Sequence, residues 1–164
     1  MKENQMDFTF IKLKQVINRL HRVSRFTSYT MIKPKSVLEH SARVAMLYQY
    51  LGGKEVFAAL MHDMSEAFLG FDCPSPVKAK IPAIKEFELL PEHSIQFISD
   101  DEKKLCKLCD GIELLIDLKE QQSLGNQTTE LMEIYDQVIE EVMERAKALG
   151  RKSEIKKLIQ ELTK

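Results

Sequence analysis

The sequence predicts an all-α fold of about six to seven helices, in a single domain over residues 1–164. Three observations lead there. Apolar residues recur at helical spacing almost throughout the chain. No segment sustains the period-2 alternation of a half-buried strand. Gly, at 6, and Pro, at 5, are too few for the many tight turns of a sandwich or barrel.

Each element has its own signal. Phe8, Ile11, Val16 and Leu20 outline a first helix of about fourteen residues. Ser36, with Glu39 three residues on, opens a second helix in the manner of a capping box, and Gly52-Gly53 stops it after Leu51. A third helix is predicted from Lys54 to Leu69, with Gly70 beyond it. Residues 70–82 hold Asp72, Pro74, Ser75, Pro76 and Pro82 and read as a loop or broken turn. A short helix through Ile84–Leu90 follows. Asp100-Asp101-Glu102 put acid at the start of a long helix ending near Gly125. Thr128 or Thr129 caps the next, which runs to Leu149, and the last spans Lys152–Leu162.

At 164 residues the chain buries roughly 70% of the surface its unfolded form exposes, so it needs no disulfide or structural metal to fold. A formal net charge of −1 excludes a globally basic binder of nucleic-acid polymers. That balance hides an asymmetry. Residues 1–35 carry eight Lys/Arg against Glu3 and Asp7, a net of +6, and residues 100–164 carry 11 basic and 15 acidic side chains, a net of −4. The basic segment predicts attraction of an anion, beside the plain alternative of solvated helix faces. The three cysteines, Cys73, Cys106 and Cys109, and an opening segment without an apolar core predict a reduced, cytoplasmic protein. Cys106-x-x-Cys109 lacks a second CxxC or a nearby His pair, which leaves a redox or zinc reading weak. No run approaches a membrane span.

Four residues stand out: His40, the adjacent His62-Asp63, and Asp110. Each is predicted mid-helix, on a face that should pack inward. His40 shares a stripe with Val37, Val44, Tyr48 (or Leu47) and Leu51. Asp63 lies with Val56, Leu60 and Ala67, and His62 with Ala59 and Glu66. Asp110 lies within an apolar run from Leu105 to Ile112. A lone ionised carboxylate is costly to bury, so such groups are paired or bind metal. Any one buried histidine is ordinarily a satisfied core residue. Two imidazoles and two carboxylates together make a mixed nitrogen/oxygen set suited to one divalent metal ion with positions open for water and substrate. His21, on the basic segment, and His93, after Pro91, read as non-ligands.

His40 … His62-Asp63 … Asp110 resembles the H…HD…D signature of the HD-domain metal-dependent phosphohydrolases. Val37-Leu38-Glu39-His40-Ser41, His62-Asp63-Met64-Ser65-Glu66 and Pro74-Ser75-Pro76-Val77-Lys78 resemble the HD-type 5′-deoxynucleotidases more closely. Arg25-Phe26, fifteen residues before His40, falls where that family has an Arg-Trp pair. The resemblance runs from about residue 19 to 120; residues 126–164 match only as helix. It implies that His40, His62, Asp63 and Asp110 hold the metal and that Glu66 orients or deprotonates the attacking water. It implies a second catalytic acid, for which Asp72 is the nearest match, although Gly70-Phe71-Asp72 is one residue longer than the family's Gly-Asp. Arg25, helped by Lys78, would grip the 5′-phosphate. Phe26 stands where the family's Trp meets the sugar, and a smaller ring there loosens discrimination against a 2′-hydroxyl.

The implied activity is a metal-dependent phosphohydrolase acting on deoxynucleoside 5′-monophosphates. The compact spacing, 22 residues from His40 to His62 and 47 from Asp63 to Asp110, also resembles short phage-type HD triphosphohydrolases acting on dNTPs. A helical binding or assembly module without activity is the alternative from another class, opposed by the intact ligand types and Glu66. The family usually self-associates, and Leu131, Met132, Val138, Val142, Met143, Ile155, Leu158 and Ile159 would supply a homo-oligomer interface or the back wall of the core.

Overall fold

A computed structural model describes residues 10–26, 30–73, 75–90 and 93–163. Lys2, Glu3, Asp7, Phe8, Pro74 and Pro91, which enter the sequence reading, lie outside the described residues. The described residues hold nine helices and no strand: α1 (Phe10–Arg22), α2 (Val37–Tyr50), α3 (Val56–Leu60), α4 (Met64–Leu69), α5 (Ser75–Lys80), α6 (Pro82–Glu88), α7 (Asp100–Ser123), α8 (Thr129–Ala148) and α9 (Lys152–Leu162). The all-α expectation holds, and the helix count exceeds the six to seven expected. Two corrections account for the excess. Residues 70–82 contain α5, and the single helix expected from Lys54 to Leu69 is two, broken at His62-Asp63.

The chain groups into two compact units. One comprises residues 1–30, 34–42 and 57–96, and the other 31–33, 43–56 and 97–164. In the first, Val16, Leu20 and Val23 pack with Val37, Met61, Met64 and Ala67. Leu13, Leu60, Phe68 and Ile95 close over them. Burial of each large side chain here contributes about 1.5–3 kcal/mol. Two backbone bonds fasten the chain after α1 to the chain before α2: Arg25 N–H donates to Lys35 O at 2.8 Å, and Val37 N–H to Val23 O at 2.8 Å. The α2 cap is as expected, Ser36 Oγ accepting from Glu39 N–H at 3.1 Å.

In the second unit α7 packs against α8 and α9. Its buried face, Leu105, Leu108, Ile112, Leu115 and Leu118, keeps three- and four-residue spacing. Ser99 caps α7 by accepting from Glu102 N–H, and Thr128 caps α8 by accepting from Leu131 N–H. Gly111 sits where α7 and α8 meet: a Cβ there would lie 2.6 Å from Val142 Cγ2. Leu131, Val142, Ile155 and Ile159 are buried within the chain, so the back-wall reading accounts for them, and Met132 remains exposed. Cys106 and Cys109 are buried, and burial pushes the Cys109 thiol up to about 12, which works against thiolate chemistry there. No helix of the described residues is long and apolar enough to cross a membrane.

Candidate metal centre

The break between α3 and α4 is a consequence of local hydrogen bonding. The His62 N–H reaches only back to Ala59 O, at 3.5 Å, and Met64 N–H to Met61 O, at 3.0 Å, so the i→i−4 ladder gives way to a tight turn. The His62 ring also donates from Nδ1 to Ala59 O, at 2.8 Å, which occupies the carbonyl a continuous helix would offer to Asp63. Asp63 stands at the N-cap of α4, yet its side chain makes no capping bond. Its Oδ2 faces the two imidazoles instead, 3.1 Å from His62 Nε2 and 3.5 Å from His40 Nε2.

His40 comes from α2 and is fully buried, its ring edge-on to that of His62 at 5.3 Å between centroids. The donor atoms of His40, His62 and Asp63 all lie within 4.8 Å of one another. Because Ala59 O can only accept, His62 Nδ1 carries a proton, and Nε2 is the ring nitrogen that faces the Asp63 carboxylate. A carboxylate oxygen facing two imidazole nitrogens is a seat for a cation, either a proton shared with a ring or a metal ion. An N,N,O set is one that a first-row divalent ion takes, so these residues fit a metal. Asp110, the expected fourth ligand, lies half-buried on α7 in the second unit.

Around this trio the first unit gathers further charged groups. Glu66, on α4, is 2% exposed. Its Oε1 accepts from Cys73 N–H at 3.3 Å and from Lys78 Nζ at 3.5 Å, while its Oε2 is buried and has no hydrogen-bond partner among the described residues. Burial, then the Asp63 and Asp72 charges, push the Glu66 carboxyl up to about 9. Burial would raise Asp63 as well, but His62, Lys78 and Arg25 hold it well below the ordinary carboxylate range. Lys78, on α5, sits 2.6 Å from Glu88 Oε1. Burial pulls its ammonium down, yet Asp63, Glu66 and Glu88 outweigh that and hold it above the ordinary lysine value.

Arg25 and Phe26 form a turn, with the guanidinium 5.1 Å from the centroid of the Phe26 ring. Phe26 adopts φ 58°, the left-handed region, and no other non-glycine among the described residues has a positive φ. Such a conformation costs roughly 1–3 kcal/mol and persists where surrounding contacts enforce it. Asp72 supplies one, its Oδ2 accepting from Phe26 N–H at 2.7 Å.

Of the expected site residues, the structure brings His40, His62, Asp63, Glu66 and Lys78 into one charged neighbourhood. It joins Asp72 to the Arg25–Phe26 turn. His21 is exposed, and the His93 ring centroid lies 4.0 Å from that of Phe87 and 4.6 Å from that of Phe68. The sequence reading missed Glu88 and the Ala59 carbonyl. Glu88 meets Lys78 across the turn between α5 and α6, and Ser65 Oγ also donates to it at 3.3 Å. Ten residues of separation gave no local pattern linking the two.

A family model described as 5′-deoxynucleotidase YfbR-like matches residues 12–95, which contain all of these residues but Asp110. No curated protein matches the chain. Among solved structures, the HD phosphohydrolase DatZ of cyanophage S-2L, bound to dA and one catalytic Zn²⁺ ion, is similar at 20% identity. The match covers 90% of this chain and 94% of that one, with a TM-score of 0.73. An HD-domain phosphohydrolase of Listeria innocua (lin2634) is 18% identical, with 93% and 97% covered and a TM-score of 0.57. The chain therefore belongs to the YfbR-like 5′-deoxynucleotidase family.

Proposed function

We propose that this protein hydrolyses deoxynucleoside 5′-monophosphates to the deoxynucleoside and phosphate. The observation that carries the reading is the His40–His62–Asp63 cluster beside a buried carboxylate, Glu66, with an open oxygen, all inside the span matched by the 5′-deoxynucleotidase family. His40, His62 and Asp63, with Asp110 as fourth ligand, would hold one divalent ion. Such an ion, when bound, supplies Lewis acidity toward phosphate and water. Glu66 Oε2 takes up the attacking water and receives its proton. A cation held beside it would bring this carboxyl back toward its ionised, proton-accepting form, and Lys78 fixes its other oxygen. Arg25 binds phosphoryl oxygens through its fork of N–H donors and neutralises charge as the P–O bond breaks. Phe26 packs against the sugar.

A second reading, hydrolysis of a dNTP to the nucleoside and triphosphate, is favoured by the compact motif spacing and by the full-length likeness to a phage HD phosphohydrolase. Incubation with dAMP and with dATP in Mn²⁺ or Co²⁺ separates the two. Inorganic phosphate from dAMP is the expected product. Triphosphate from dATP with no turnover of dAMP would establish the second reading. Release of neither from any deoxynucleotide would exclude both.

A further inference from the structure

We propose that Asp72 is a positioning residue: it clamps the turn that presents Arg25 and Phe26, and it does not transfer the proton of the reaction. The inference rests on the reading of Arg25 and Phe26 as substrate-binding residues. Three observations carry it.

First, Asp72 Oδ2 is already engaged, at 2.7 Å, by a backbone N–H forty-six residues away in sequence. A short charge-assisted bond of this kind is a strong fastening. Second, the N–H it accepts belongs to Phe26, the residue held at φ 58°. A bulky aromatic is a poor occupant of the left-handed region and stays there only under external restraint. The upstream side of the turn is secured by Arg25 N–H on Lys35 O, and the Asp72 bond secures the next residue. Third, α4 ends at Leu69 with Gly70 left-handed, and the chain reverses there so that Asp72, two residues on, comes to the Arg25–Phe26 turn. Phe71, between Gly70 and Asp72, is 44% exposed, while Asp72 turns to the Phe26 backbone.

The clamp couples two parts of the site. The segment after α4 also sends the Cys73 N–H to Glu66 Oε1, at 3.3 Å. Consecutive residues thus hold the water-handling carboxylate on one side and the phosphate-gripping turn on the other. Loss of the clamp should misplace Arg25 and weaken substrate binding before it slows the chemical step, because a small misplacement of a binding group is read first as lost affinity.

The test compares Asp72→Ala with Asp72→Asn, since an asparagine carbonyl can still accept from Phe26 N–H and cannot carry a reaction proton. With dAMP and Mn²⁺, Asp72→Ala should raise KM by about tenfold or more with kcat within about threefold of wild type. Asp72→Asn should restore KM to within about threefold and leave the shape of the kcat pH profile intact. Equal loss of kcat in both variants, with a limb of the pH profile gone, would overturn the proposal in favour of proton transfer. A second readout does not depend on turnover. Amide hydrogen exchange at Phe26 should be slow in wild type and in Asp72→Asn and at least about tenfold faster in Asp72→Ala. Equal exchange in wild type and Asp72→Ala would overturn the clamp whatever the enzyme hydrolyses. Slow exchange without turnover of any deoxynucleotide would leave the clamp standing and refute the assigned activity instead.

Discussion

Gln121 and Glu66 are buried to the same degree, and they are treated in opposite ways. Gln121, on α7 in the second unit, is 1% exposed. Its Oε1 accepts from Ile32 N–H at 2.8 Å and from Asn126 Nδ2 at 3.2 Å, and its Nε2 donates to Lys33 O at 3.2 Å. Toward the other end of α7 in the same unit, Tyr48 O–H donates to Glu102 and accepts from Glu55 N–H. These groups meet their hydrogen-bonding demand within the chain, and their effect is to fix loops on helices. Glu66, in the first unit, keeps Oε2 buried and unsatisfied, and beside it Asp63 turns away from its cap to face two imidazoles. A buried polar group without a partner costs about 1–3 kcal/mol. A chain that leaves that demand open beside a metal-fitting trio breaks its own packing rule at the place where the proposed chemistry lies.

The largest effect should come from the trio. His62→Ala is expected to lower deoxynucleotide hydrolysis by more than about 100-fold with the far-ultraviolet circular dichroism unchanged. Retained activity would place the chemistry elsewhere. Glu66→Gln should follow, lowering kcat by about 10²–10⁴-fold, because the amide fills the same space and cannot receive the proton.

The same variant carries a pH signature in metal-free protein. The Glu66 carboxyl has an ordinary value of 4.5 and is raised to about 9 by folding. Between those limits the native state holds a proton that the unfolded chain has released, so wild-type stability falls as pH rises through this window. Glu66→Gln removes that slope. Thermal unfolding should therefore show the variant gaining on wild type at pH 8 relative to pH 5, and parallel curves would contradict the buried setting of Glu66.

The second unit should answer in stability and not in rate. Gln121→Ala strands the Ile32 N–H and the Lys33 carbonyl and should cost about 1–3 kcal/mol by urea unfolding, with kcat unchanged. A kcat defect would join the two regions and weaken the comparison. Gly111→Ala, whose Cβ would press on Val142, should cost about 1 kcal/mol, the low end for an overpacked helix contact.

The sequence carried most of the helices and the metal trio, for physical reasons. Ser36, Ser99 and Thr128 are small polar residues whose capping bonds are local, so the starts of α2, α7 and α8 can be read from a few positions. The inward stripe of Val37, His40, Val44, Tyr48 and Leu51 is buried as its periodicity requires. The break at His62-Asp63 escaped the reading because Lys54 to Leu69 has the composition of an uninterrupted helix. The interruption comes from a histidine ring competing for the Ala59 carbonyl. Glu88 and the Asp72–Phe26 bond escaped because both depend on tertiary contacts with no fixed spacing. His62-Asp63 announced itself as an adjacent pair; Glu88 looks like any surface acid until Lys78 is found beside it.

The central claim is that His40, His62 and Asp63 hold a metal ion. The most direct test is the metal content of the purified chain after reconstitution with Mn²⁺ or Co²⁺ and removal of free ion, measured for wild type and for His62→Ala. The account predicts close to one ion per wild-type chain and well under half an ion in the variant. Equal content in the two, or none in wild type, would contradict it.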